Sequence, residues 1–222
     1  MVNNEIFSGF GTEFANDYTN ADTIAPGEKP GALPPGAYVL EIKTAHMEQT
    51  QNGKKYLALY FDIAEGECAG YYQAMWEYEK KWDNPAEGKK AKWKGIFKIW
   101  MPNKEDGEEK YKSSMSRFKG CITAINTSNQ TKPPINPAVS FGSADFIGKL
   151  VGGAFGEKEW EYEGRTGWKT ECRWLADVEK VRDNKVKPPE RLPLKDKPTT
   201  VESTSTDSFA EYEQLSDGDM PF

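Results

Sequence analysis

Histidine is nearly absent from this 222-residue chain and cysteine is scarce: His46 stands alone, and Cys68, Cys121 and Cys172 are widely spaced with no Cys-x-x-Cys pair. An odd number of distant cysteines argues against both a zinc site and a disulfide framework, so free thiols and no metal are expected. No apolar run approaches the roughly 18–20 residues that a membrane span requires, so no membrane partner is expected. Met1 to Phe7 offers neither the basic nor the apolar region of a secretion signal, which points to a cytoplasmic address. Apolar residues make up only 37% and mean hydropathy is −0.77. A good part of the chain is therefore expected to lie outside any packed core.

Motifs for catalysis are also missing, and neither an enzyme nor a cofactor is expected. Gly142 to Lys149 superficially resembles a phosphate-binding loop, but its glycines are one residue too far apart and Leu150 replaces the required hydroxyl. Ser116-Arg117-Phe118-Lys119 has the Ser-x-x-Lys spacing without companion motifs, and it suits a helix surface better. His46, near a strand end, reads as a surface residue. No carboxylates fall at metal-binding spacing.

What the chain does have is strand periodicity interrupted once. Residues 1–35 read as an extended N-terminal arm with Phe7, Phe10, Phe14 and Tyr18 free to dock. From Gly36, Tyr38, Leu40 and Ile42 alternate with Val39, Glu41 and Lys43, and Gln51-Asn52-Gly53-Lys54 supplies a hairpin turn. Tyr56 to Ile63 sends Leu57, Leu59, Phe61 and Ile63 to a core face and Tyr56, Ala58, Tyr60 and Asp62 to an open one. A strand from Tyr71 to Tyr78, with Tyr72, Ala74, Trp76 and Tyr78 on one side, and a returning strand from Trp93 to Met101 are expected to form an extra hairpin. Tyr111 to Asn129 is the one good helix candidate, with Met115, Phe118, Ile122 and Ile125 at helical spacing. Strand signals resume over Phe146 to Tyr162 and, after Gly164 to Gly167, over Trp168 to Arg182, with Trp168, Cys172 and Trp174 on one face. This order predicts a mainly β domain over 36–183: a five-stranded Greek-key barrel of the oligonucleotide/oligosaccharide-binding (OB) type, with a helix between strands 3 and 4. A β-sandwich with an inserted helix fits less economically. Residues 184–198 read as a basic, proline-rich linker, and 199–222 as a disordered tail.

Charge is unevenly distributed. Between Lys80 and Lys98 lie Lys80, Lys81, Lys89, Lys90, Lys92, Lys94 and Lys98 against Asp83 and Glu87, a local balance of +5 in a chain of net charge −6. Trp82, Trp93 and Trp100 are threaded through this island. Lysines follow a phosphate backbone while flat rings stack on unpaired bases at about 1–3 kcal/mol each. Single strands are thus expected to lie across Tyr56, Tyr60, Tyr72, Trp76, Trp82, Trp93 and Trp100, with roughly half of these rings belonging to the core instead. Trp82, in a polar loop, has little core to join.

The tail 199–222 carries six acids and no lysine or arginine, and it accounts for the whole net charge, since the rest balances at 29 of each sign. It ends Ser216-Asp217-Gly218-Asp219-Met220-Pro221-Phe222. This end is similar to the acidic tip of bacterial single-stranded DNA-binding proteins (SSBs), from which it departs in Gly218 and in Met220 as the aliphatic residue. The body, with Leu33-Pro34-Pro35-Gly36-Ala37-Tyr38 and Phe146-Ile147-Gly148-Lys149, more closely resembles OB-fold proteins encoded by bacteriophages, over about residues 33–182. The resemblance implies an SSB-like protein of phage replication, recombination or repair, acting in the cytoplasm of an infected bacterium. It also implies a tip (Asp217, Asp219, Met220, Pro221 and Phe222) that recruits replication and recombination proteins. Homo-oligomerisation and DNA against RNA stay open. The alternatives are a carbohydrate-binding β-domain and a phage structural or adaptor protein.

Overall fold

The alternation that begins at Gly36 is built as strand β1 (Gly36–Gln49), which pairs antiparallel with β2 (Lys55–Ile63) across the expected Asn-Gly turn. The computed structural model describes residues 29–84, 88 and 90–194. In it, β3 (Ile96–Trp100), β4 (Leu150–Tyr162) and β5 (Arg165–Ala176) complete an antiparallel five-stranded sheet in the order β3-β2-β1-β4-β5, and the two end strands, β3 and β5, also approach each other. The chain is therefore mainly β, with few helices. Leu57, Leu59, Phe61 and Ile63 line the core as their alternation requires, together with Leu40, Ile42, Phe146, Val151 and Phe155. Leu33, the last apolar residue of the expected arm, is part of the same core.

Tyr71 to Lys80 is a helix, α1, and not the expected strand, so there is no extra hairpin. Alternating aromatics read as β, but the backbone hydrogen bonds decide otherwise. Gly70 adopts a left-handed conformation (φ 74°), and the freed N–H groups of Tyr72 and Gln73 are taken by the Asp62 carboxylate at 2.9 and 3.1 Å. Asp62 is buried and also accepts from the Ile63 N–H at 2.8 Å, so a β2 side chain caps a helix that begins nine residues later. Tyr72 and Met75 then bury on one side of α1.

The expected helix between strands 3 and 4 is present as α2 (Glu108–Thr127). Phe118, Ile122 and Ile125 are buried, whereas Met115 is exposed. The Asn129 amide holds the end of α2 to the sheet, donating to the Ile125 and Leu150 carbonyls and accepting from the Leu150 N–H.

The β4–β5 hairpin closes through Glu163 and Gly164, both at positive φ (48° and 75°), as a two-residue type I′ turn requires. One residue is extra in β5 between Cys172 and Trp174, since Phe155 pairs with Cys172 and Ala154 with Trp174. This bulge corrects the expected face: Leu175, not Trp174, joins Cys172 against the core, and Trp174 is exposed. The residues expected to continue β5 form a short helix, α3 (Val178–Arg182).

Part of the 184–198 segment folds back. Leu192 exchanges backbone hydrogen bonds with Glu157 and Glu159 of β4 at 2.9 Å each, and Pro189 packs where a Cβ on Gly156 would sit. The N-terminal arm through residue 28 and the tail from 199, with its tip, lie outside the described residues. Among the described residues no helix is long and apolar enough to cross a membrane.

Candidate nucleic-acid interface

The registers of β1, β2 and β3 fix three cross-strand rows on the face away from the core: Glu48–Tyr56–Trp100, His46–Ala58–Lys98 and Thr44–Tyr60–Ile96. Side chains in a row stand next to one another, so a small residue at the centre is roofed by its neighbours. Ala58 has no exposed surface for this reason. The Trp100 ring tilts against Tyr56 with centroids 5.2 Å apart, Lys98 Nζ lies over Tyr56 at 4.8 Å, and His46 meets Tyr60 edge-on at 5.6 Å. The result is a floor of two ring pairs, Tyr56 with Trp100 and Tyr60 with His46, and one ammonium.

Both phenols of this floor donate to one carboxylate, Tyr56 to Glu48 Oε2 and Tyr60 to Oε1, each at 2.7 Å. Burial works to raise the Glu48 carboxyl, but the Tyr60 and Tyr56 hydroxyls, Lys98 and His46 outweigh it and hold the group below the usual carboxylate range. Burial, and then the bond to Glu48, push Tyr56 and Tyr60 up to about 12. Folding therefore keeps these two phenols protonated. The stability they supply is complete below about pH 10, where a free phenol ionises, and is lost as pH climbs toward 12. A Tyr56→Phe/Tyr60→Phe variant keeps both rings, and it is expected to lose less stability than the parent between about pH 9 and about pH 11.5. Urea midpoints at the two pH values check this.

The lysine-bearing connection between α1 and β3 enters the sheet beside this floor. Trp93 Nε1 donates to the Phe61 carbonyl at 3.0 Å, and the Phe61 N–H donates to the Gly95 carbonyl at 2.8 Å, so 93–95 runs on as an extension of β3. Lys80 caps the Trp76 ring at 4.8 Å, Lys81 lies 6.0 Å from the Tyr78 ring centre, and Lys94 pairs with Glu79. Lys80, Lys81, Lys90, Lys92 and Lys98 are exposed and make no ion pair with a described residue. Trp82, just past the end of α1, is 71% exposed. Lys89 lies outside the described residues.

The residues singled out from the sequence thus divide. Tyr72 is 7% exposed, closed in by Phe61 and Tyr71. Tyr56 is equally buried, under Lys98 and beside Trp100. Trp93 is half-buried and packed against the core. Tyr60, Trp76 and Trp100 are partly exposed, and Trp82 is open. Glu48 escapes a reading of the sequence, although a signal for it exists. An Asn-Gly hairpin turn sets Glu48 opposite Tyr56, and directly paired residues share a face. Alternation counted from Leu40 and Ile42 would put it in the core, and the extra residue in β1 between Ile42 and Thr44 reverses that. Alternation assigns Trp168 only to a strand face, yet it is exposed and stacked under Arg191 at 5.3 Å, away from these rows in β5.

No protein-family model matches this chain, and no curated protein matches it.

Proposed function

We propose that this chain binds single-stranded DNA across the outer rows of β1–β3 and the lysine-bearing connection that feeds β3. The observation that carries this reading is the junction of a ring floor with a cationic segment bearing a 71% exposed tryptophan, Trp82. An indole left in water gains nothing from the fold, whereas it gains about 1–3 kcal/mol from stacking on an unpaired base. Four exposed lysines without ion pairs to described residues, Lys80, Lys81, Lys90 and Lys92, belong to α1 and this connection, each able to release a counterion from a phosphate.

The strand order β3-β2-β1-β4-β5, with α2 between β3 and β4, supports a Greek-key barrel of the OB type. In that architecture the face of strands 2 and 3 is the usual oligonucleotide surface. The acidic end, Asp217-Gly218-Asp219-Met220-Pro221-Phe222, supports recruitment of replication and recombination proteins by a tethered SSB-like tip, as phage-encoded proteins of this kind would use it.

Titration of poly(dT) against intrinsic tryptophan fluorescence, at two salt concentrations and with duplex of equal length as control, tests the reading. Saturable quenching by the single strand that weakens steeply with salt is expected, with little response to duplex. Absence of any nucleic-acid response would overturn it. Salt-independent binding of oligosaccharides would favour a carbohydrate-binding domain.

A further inference from the structure

We propose that Glu48 is a selectivity residue of the strand-binding face, keeping phosphates off the ring floor so that unpaired bases settle there and duplex does not. This role rests on the single-strand reading of that face.

The floor carries two formal charges, set on either side of Tyr56. Glu48 accepts from the Tyr56 hydroxyl at 2.7 Å, and Lys98 Nζ lies 4.8 Å from the Tyr56 ring centre. The other members of the three rows, Thr44, Ala58, Tyr60, Ile96 and Trp100, are uncharged, and the remaining member is the His46 imidazole. One carboxylate and one ammonium therefore offset each other on the floor, while Lys80, Lys81, Lys90 and Lys92 belong to α1 and the connection into β3. Attraction for phosphate is thereby confined to the margin, and the centre attracts only through ring faces.

The carboxylate is also fixed. Two phenols hold its two oxygens at 2.7 Å each, so it cannot swing aside when a phosphate approaches. Holding the two rings does not by itself require a charge. A glutamine would accept from one phenol and donate to the oxygen of the other, and it would avoid the cost of partly burying an ion. What the carboxylate adds is repulsion of anions and acceptor capacity toward N–H groups, which every base, thymine with its N3–H included, carries and phosphates lack. A duplex presents phosphates on its outside and hides the flat faces of its bases. The repulsion therefore falls on duplex, and a single strand avoids it by turning its bases inward.

Binding of fluorescent oligo(dT) and of duplex of the same length, at one fixed salt concentration, by the parent, Glu48→Gln and Glu48→Asp tests this. Melting temperatures of all three proteins report on folding. Glu48→Gln is expected to tighten duplex binding about tenfold and single-strand binding by no more than about twofold, so the preference collapses. Glu48→Asp keeps the charge while disturbing the phenol bonds, and it is expected to keep the preference. A Glu48→Gln protein that shifts both affinities equally, or neither, overturns the proposal. So does a preference that falls as far in Glu48→Asp as in Glu48→Gln, because the effect would then belong to ring positioning. A parent that binds neither nucleic acid overturns the reading of the face, and this role with it.

Discussion

A variant with Trp82→Ala, Lys90→Glu and Lys92→Glu is expected to bind oligo(dT) about 100-fold more weakly than the parent while melting at the same temperature. On the proposed reading the indole would contribute about 1–3 kcal/mol by stacking on a base, and each reversed lysine would free one phosphate and add a repulsion. The plot of log affinity against log salt should also become shallower by roughly 1.4, at about 0.7 for each phosphate that a single strand no longer has neutralised. Stability is spared because Trp82 is 71% exposed and its backbone bond to the Glu79 carbonyl does not involve the side chain. Lys90 and Lys92 are exposed and hold no described partner. Trp93 and Trp100 are poorer targets, since one donates to the Phe61 carbonyl and the other packs on Tyr56. Unchanged affinity would exclude this connection and point instead to Trp168 under Arg191.

Much of this arrangement is legible in the sequence because it depends on local pattern. Alternation marks β1 and β2 and puts Tyr56 and Tyr60 on one face. The Asn-Gly turn sets the pairing from Gln49 with Lys55 to Thr44 with Tyr60, beyond which an extra residue in β1 between Ile42 and Thr44 shifts the register. The spacing of Phe118, Ile122 and Ile125 fixes the buried side of α2. What is hidden depends on residues distant in sequence. Nothing within Tyr71–Tyr78 announces a helix: it has no local capping side chain, and its cap is Asp62, buried in β2. Tyr72, Ala74, Trp76 and Tyr78 satisfy a period of two, while Tyr72 and Met75 satisfy a helical turn. Only the destination of the N–H groups separates the two readings. The face of Trp174 is hidden for a similar reason, since one extra residue in β5 inverts everything after it and bulges leave little trace in composition. At the site, alternation says which residues share a face but not how its members cover one another. Tyr56 lies on the predicted face and is still buried, because Lys98 and Trp100 from β3 close over it.

Gly95→Ala is expected to destabilise the protein by about 3–5 kcal/mol, a large share of the roughly 5–15 kcal/mol that holds a domain of this kind together. A Cβ at Gly95 would lie 2.2 Å from the Phe61 carbonyl oxygen and 2.9 Å from two atoms of the Tyr72 ring. The first neighbour is backbone and cannot rotate away. It is also the acceptor for Trp93 Nε1, and the Phe61 N–H is bonded to the Gly95 carbonyl at 2.8 Å. The methyl group must therefore push the start of β3 off β2, break those bonds, and press on Tyr72 and with it α1. Gly120→Ala makes the same chemical change inside α2, where nothing beyond the neighbouring residues and the helix's own backbone lies within 4 Å of the new carbon, and it is expected to stabilise by up to about 1 kcal/mol. Urea unfolding of the two variants beside the parent reads out opposite signs. Because β3 carries Lys98 and Trp100, Gly95→Ala should also weaken oligo(dT) binding, although Gly95 has no side chain to offer a ligand. Equal midpoints for Gly95→Ala and the parent would mean that β2 and β3 do not approach as closely as the site requires. The connection would then no longer be held against the ring floor.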